Sequence, residues 1–157
     1  MKRLNYPELG SNAFKAMLQV EGALAAGSLD PLLKELVKVR ASQMNGCTFC
    51  LDMHIKTARK HGERELRLHH VAAWSESTLF SDRERMALEI TETMTHIEPE
   101  GLSDTLYRRA LAVFSEQELC DLVFQIAVIN AWNRLGVAFH TEIGSMDKAM
   151  GLDSVRL

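Results

Sequence analysis

Residues 35–54 read ELVKVRASQMNGCTFCLDMH, and the Asn45-Gly46 pair near their middle decides how the chain is built. Ahead of that pair, Leu32, Leu33, Leu36 and Val37, then Arg40 to Met44, continue a helical period. Asp30 can cap the free amides at the start of this helix, and Pro31 fits its first position. Asn45 and Gly46 are stop signals. A second helix restarts at CTFCLDMHIKTARK and ends near Gly62, with Lys60 and His61 favourably placed at its C-terminal end. Both cysteines fall in its opening turns.

The rest of the chain follows the same pattern, with no alternating β-branched run, low-complexity tract or internal repeat. In SNAFKAMLQVEGALAAG (11–27), Phe14, Met17, Leu18 and Leu24 recur near helical spacing and Gly27 reads as the stop. A short helix is expected in ERELRLHHVAAW (63–74) and a loop in STLF (77–80). Ser81 with Glu84 forms a capping-box pattern opening a helix through SDRERMALEITETMTHI (81–97). Met86, Ile90 and Leu88 or Thr91 turn inward there, and Pro99 and Gly101 end it. SDTLYRRALAVF (103–114) gives another short helix. Ser115 with Glu118 then caps a long apolar helix to about Ile143. The expected architecture is a single all-α domain over residues 1–157, a bundle of about six or seven helices.

Composition narrows the function. The 157 residues are 46% hydrophobic and 25% charged with a formal net charge of -3, so no basic surplus is available to neutralise phosphates. Neither nucleic acid nor an anionic membrane is an expected partner. The opening MKRLNYPELG carries two basic residues but no apolar stretch follows, so export is not expected. LVFQIAVINAWNRLGVAF (122–139) is interrupted by Gln125, Asn130, Asn133 and Arg134, which suits a buried helix better than a membrane span. The default compartment is the reducing cytoplasm, where a close cysteine pair is catalytic or metal-binding more often than a structural staple.

Cys47, Cys50 and His54 share one helix face within two turns. A cysteine at a helix N-terminus meets unpaired amides and the positive end of the dipole, which favour thiolate. An imidazole nearby accepts the thiol proton or, once protonated, holds the thiolate. A thiolate that attacks a peroxide becomes a sulfenic acid, and a thiol one turn away can condense with it to a disulfide. Redox chemistry leads; a metal site and plain packing stay open. Against metal, structural zinc takes four N or S ligands and this stretch offers three. Cys120 lies on the apolar helix before Val123, Phe124 and Ala127 and reads as a core thiol.

Other residues draw weaker expectations. His69 and His70 are adjacent, diverge around a helix and read as surface groups. Asn130, Trp132, Asn133, Arg134 and His140 either line a cavity or, the favoured reading, bind one another across helices or at a subunit interface. Met17, Met44, Met53, Met86 and Met94 read as core filler, with Met44 and Met53 flanking the thiols.

The stretch 35–54 resembles the signature of the AhpD-like alkylhydroperoxidase branch of the carboxymuconolactone decarboxylase superfamily, in which Glu, Cys-x-x-Cys and His recur at these separations. The resemblance extends through LFSDRERMALEITETMT (79–95) and FSEQELCDLVFQIAVINAWNRLGVAF (114–139), most of the chain. It implies a compact helical fold and a thiol-dependent peroxidase. Cys50 would meet a small hydroperoxide, Cys47 would resolve it and exchange with an external dithiol such as a lipoyl group, and His54 and Glu35 would relay protons. It also implies no metal, flavin or haem, and a homo-oligomer, trimer or hexamer. Glu35 alone, among Lys34, Lys38 and Arg40, would read as a solvated residue. A tight turn at Gly46 nevertheless folds the second helix back so that a carboxylate two to three turns earlier can reach the sulfur face. One departure stands out: where the well-studied peroxidase of the family has a relay histidine before the second cysteine, this chain has Phe49. Two other readings remain, a redox-sensing or thiol-exchange protein and a lyase of the decarboxylase type; the cysteine pair argues against the lyase.

Overall fold

The Asp30 carboxylate accepts the Leu33 amide at 3.0 Å, and Pro31 follows at the first helical position, so α3 (Pro31–Asn45) starts where local chemistry directs. It stops at Gly46, whose φ of 65° lies in the left-handed region that glycine enters without strain. The Gly46 amide donates back to Ser42 and Gln43, and the Cys47 amide reaches the Ser42 carbonyl at 3.1 Å. The chain thereby reverses at once into α4 (Thr48–Lys60), which packs along α3.

The computed structural model describes residues 3–97 and 99–155; Met1, Lys2, Glu98, Arg156 and Leu157 lie outside them. Before α3 come a single turn, α1 (Tyr6–Leu9), and α2 (Ser11–Ala25). After α4 come α5 (Glu65–His70), a 3₁₀ segment over Val71–Glu76, α6 (Asp82–His96), α7 (Asp104–Leu111), α8 (Glu116–Phe139) and a last turn, α9 (Asp147–Met150). No strand occurs among the described residues.

The all-α expectation therefore holds, with two four-residue helices, α1 and α9, that no sequence period announces. Both capping boxes form: Ser81 with Glu84 opens α6 and Ser115 with Glu118 opens α8.

Helix α3 is the axis of the bundle, in contact with α4, α6 and α8. On one side Leu33 and Val37 join Met86, Ala87 and Ile90 of α6 and Leu119, Leu122 and Ile126 of α8. On the other, Leu36 and Val39 meet Ala58, Leu68, Val71, Phe80 and Leu88. A smaller cluster of Ala41, Cys47, Cys50 and Ile129 closes the end near the turn. Lys34, buried on α3, donates 3.1 Å hydrogen bonds to the Leu24 and Ala25 carbonyls and so caps α2 from another helix. Gly27 directly follows the C-cap Ala26, as expected, and its amide donates to the Leu24 carbonyl at 3.1 Å, so both it and this cation mark the end of α2. Gly27 also serves a close approach, since a Cβ there would lie 2.8 Å from the Asp121 carboxylate.

By length and composition α8 could cross a membrane, yet Asn130 and Asn133 on it are buried and hydrogen-bonded to other helices of the bundle. Its buried stripe is Leu119, Leu122, Gln125, Ile126, Ile129, Asn130, Asn133 and Gly136, a helical period turned to α3 and α6. Cys120 falls about 100° around the helix from Leu119 and is exposed, correcting its assignment to the core. Phe124 and Ala127 share that outer face, Phe124 at 56% exposure. Because α8 is apolar on its outer face too, the local run could not tell outside from inside. The helix also ends at Phe139, short of Ile143, with His140 left-handed at φ 50°.

Removing the cap that starts the central helix tests this construction. Asp30→Ala should lower unfolding free energy by about 1 kcal/mol, read as a reduced urea midpoint with unchanged slope.

Candidate active site

Cys47 is the N-cap of α4, in extended backbone conformation, and its Sγ accepts the Cys50 amide at 3.4 Å. A thiol thus stands where a serine or aspartate is usual. Cys50 lies in the first turn, and both residues are buried. The Cys50 thiol donates to Cys47 and draws it down to about 7; burial opposes this, and the Cys50 amide and the Asn133 side chain assist. Cys50 is pushed up by the same shared proton, by burial and by the Cys47 charge. When the reduced pair ionises, the charge therefore falls on Cys47 and the remaining proton stays on Cys50.

Helix α8 covers the sulfurs with backbone. A Cβ at Gly136 would sit 2.8 Å from Cys47 Sγ and 3.5 Å from Cys50 Sγ, so only glycine lets the helix come this close. Sequence reasoning passed over Gly136. Its signal was a lone glycine inside a long apolar helix, where it is unfavourable unless packing requires it.

One helical turn beyond Cys50, His54 is buried and its Nδ1 lies 2.9 Å from Glu35 Oε2, across the α3–α4 seam. Glu35 is 5% exposed, not solvated. Burial raises its carboxyl, but the hydrogen bond and charge of His54, with those of Lys38, outweigh this and hold it below the ordinary carboxylate value. An ionised carboxylate only accepts, so Nδ1 carries a proton and Nε2 is the nitrogen free for exchange.

Asn130, Trp132 and Asn133 of α8 bind across helices, as favoured. Asn45 donates at 2.9 Å to both Asn130 and Asn133, Asn133 donates to Ser42 Oγ at 3.0 Å, and Asn130 donates to Thr95 Oγ1 at 3.1 Å. Trp132 donates to Glu21 at 3.0 Å, whereas Arg134 stays within α8 and donates to the Asn130 carbonyl at 2.8 Å. His140 instead lines an open groove of about 470 Å³ at the dithiol, with Cys47, Phe49, Gly136 and Glu142. Phe49 also packs on the cluster holding both sulfurs. The paired histidines diverge: exposed His69 lies 3.5 Å from Glu65, while His70 reaches Ser77 Oγ at 3.0 Å. Among the described residues no three His, Cys, Asp or Glu side chains converge as a metal site. Of the methionines, Met86 is buried in the core and Met17, Met44, Met53 and Met94 are partly buried.

An all-α bundle with a dithiol at a helix start, one helical turn before a histidine buried against a glutamate, defines an AhpD-like protein. The chain belongs to the carboxymuconolactone decarboxylase family, whose pattern matches residues 11–93. The uncharacterized protein YdfG of Bacillus subtilis is 39% identical over 144 residues, 92% of this chain and 98% of its own. ATU0492 of Agrobacterium tumefaciens, a protein of unknown function provisionally assigned to the antioxidant defence protein AhpD, superposes with a TM-score of 0.86 at 34% identity, covering 91% of this chain and 98% of its own. The debrominase Bmp8 shares the fold at a TM-score of 0.75 and 19% identity, over 94% of this chain and 80% of its own.

Alkylation of Cys47 by iodoacetamide should rise with pH through a midpoint near 7. Gly136→Ala should displace the sulfurs, move that midpoint toward the free-thiol value and lower stability. Gly22→Ala, whose Cβ meets nothing within 4 Å on α2, should instead stabilise by about 0.5–1 kcal/mol.

Proposed function

We propose that this protein is a thiol-dependent peroxidase that reduces small hydroperoxides through Cys47 and Cys50. The observation that carries the reading is the buried, proton-sharing dithiol at an open groove, with the Glu35–His54 pair on the same helical seam. Family membership and the likeness to ATU0492 support it.

In the proposed cycle His54 takes the Cys50 proton, and the thiolate attacks the hydroperoxide O–O bond, giving a sulfenic acid and an alkoxide. The proton held on His54 passes to the alkoxide, which leaves as alcohol. The Cys47 thiolate then displaces hydroxide from the sulfenic acid, forming the disulfide, and the hydroxide takes a proton from solvent and leaves as water. An external dithiol, of lipoyl type, returns both sulfurs to thiols and is itself oxidised. Because the hydrogen bond with Cys47, burial and the Cys47 charge hold the proton on Cys50, the step needs a base, and Glu35 orients His54 with Nε2 free to act as one. Phe49 offers no proton, so this pair carries the transfer alone. Cytoplasmic location and a trimeric or hexameric assembly belong to the same proposal.

A second division of labour has its own observation. The resting negative charge lies on Cys47, which lines the groove, and this favours Cys47 as the first nucleophile toward anything entering there. The same position suits exchange with the external dithiol.

Dithiol-dependent consumption of a small organic hydroperoxide is the test. Wild type should turn over, Cys50→Ser should not, and Cys47→Ser should leave a sulfenic acid trapped by dimedone. Trapping on Cys47 in Cys50→Ser instead would exchange the two roles. His54→Ala and Glu35→Gln should slow turnover on the order of 100-fold. A reversible disulfide without turnover would make the protein a thiol-exchange partner; activity retained without Cys47 would point to a lyase.

A further inference from the structure

Lys38 stands between two carboxylates on different helices. Its Nζ lies 3.4 Å from Glu35 Oε1 on α3 and 3.6 Å from Glu21 Oε2 on α2. Each carboxylate is tied at its other oxygen: Glu35 Oε2 to His54 Nδ1 at 2.9 Å, Glu21 Oε1 to Trp132 Nε1 at 3.0 Å. Trp132 in turn packs against the cluster containing Cys47 and Cys50. His54, Glu35, Lys38, Glu21 and Trp132 thus form one run of polar contacts that leaves the dithiol helix at His54 and ends at Trp132 on α8, beside the cluster that includes both sulfurs. Side-chain exposure falls along it from 25% at Glu21 through 12% at Lys38 to 7% at Glu35.

The neighbouring charges have other partners. Lys34 is bound to the Leu24 and Ala25 carbonyls, and Arg40 of α3 pairs with Glu92 of α6. Helix α8 contributes Trp132, Asn130 and Asn133 to this region, with Arg134 held by Asn130; α4 contributes His54 and the thiols. Among the described residues Lys38 is the cation within ion-pair reach of Glu35 besides His54. When the imidazole gives up its proton to a leaving oxygen, a buried carboxylate facing neutral His54 would itself take a proton. An ammonium at 3.4 Å opposes that.

We propose that Lys38 is a positioning residue for the dithiol chemistry: it keeps Glu35 ionised through the proton transfer, and Glu21 sets how much of its charge Glu35 receives. This rests on the peroxidase reading, yet its decisive test needs no turnover. The Glu35 carboxyl can be titrated by ¹³C NMR in glutamate-labelled protein, its resonance identified with Glu35→Gln.

Lys38→Met should raise the Glu35 midpoint by about 1 pH unit, because the carboxylate loses its permanent counter-charge. Glu21→Gln should lower it, because a competing anion disappears while the amide oxygen still accepts from Trp132. Lys38→Arg should restore the wild-type value. The acid limb of hydroperoxide consumption should move with the same signs. An unmoved Glu35 midpoint in folded Lys38→Met, or shifts of one sign in both Lys38→Met and Glu21→Gln, would overturn the role. Should Lys38→Met fail to fold, the sign of the Glu21→Gln shift decides. Absence of turnover in wild type would remove the peroxidase reading while the titration still settles whether Lys38 controls Glu35.

Discussion

Gly46 adopts a left-handed conformation that joins α3 to α4 without an intervening loop. The reversal lays the two helices side by side, and Glu35, more than two turns before it, meets His54, two turns after it. A longer connection would leave both groups on neighbouring helices without fixing their register. Because the turn also ends on the Cys47 amide bound to Ser42, it sets the start of α4 and so the position of both sulfurs.

That arrangement buries charge at the centre of the fold. Lys34 and Glu35 are adjacent on α3 and nearly inaccessible, an expensive pairing unless each is satisfied. Lys34 turns one way, to the end of α2, and Glu35 the other, to His54. Position within the helix separates them: about 100° of rotation sends neighbouring residues to different partners. The apolar neighbours Leu33, Leu36 and Val37 fill the space between, so α3 supports the core and the ionic contacts together.

Much of this was legible in the sequence because local signals carried it. Asp30-Pro31, Asn45-Gly46 and the two Ser-x-x-Glu boxes act within one helical turn, and each marks a boundary of the fold. The face shared by Cys47, Cys50 and His54 follows from helical spacing alone. What stayed hidden depends on distant partners. Glu35 among lysines looks solvated until α4 folds over it. Cys120 looks buried because α8 is apolar on its outer side as well. Gly136 shows its purpose only when the sulfurs lie against it. The short turns α1 and α9 have no period from which to be recognised.

Cys47 places one sulfur in two roles, as the charged member of the dithiol and as the cap that accepts the Cys50 amide. A thiolate is a stronger acceptor than a thioether or a disulfide sulfur. Any bond that Cys47 forms therefore weakens the tie at the beginning of α4, and the first turn frays more readily when the sulfur is substituted. The order of that turn becomes a gauge of the covalent state of the cysteine: tight while the sulfur is free, looser once it is engaged. Backbone amide exchange in the opening residues of α4 is where that difference registers.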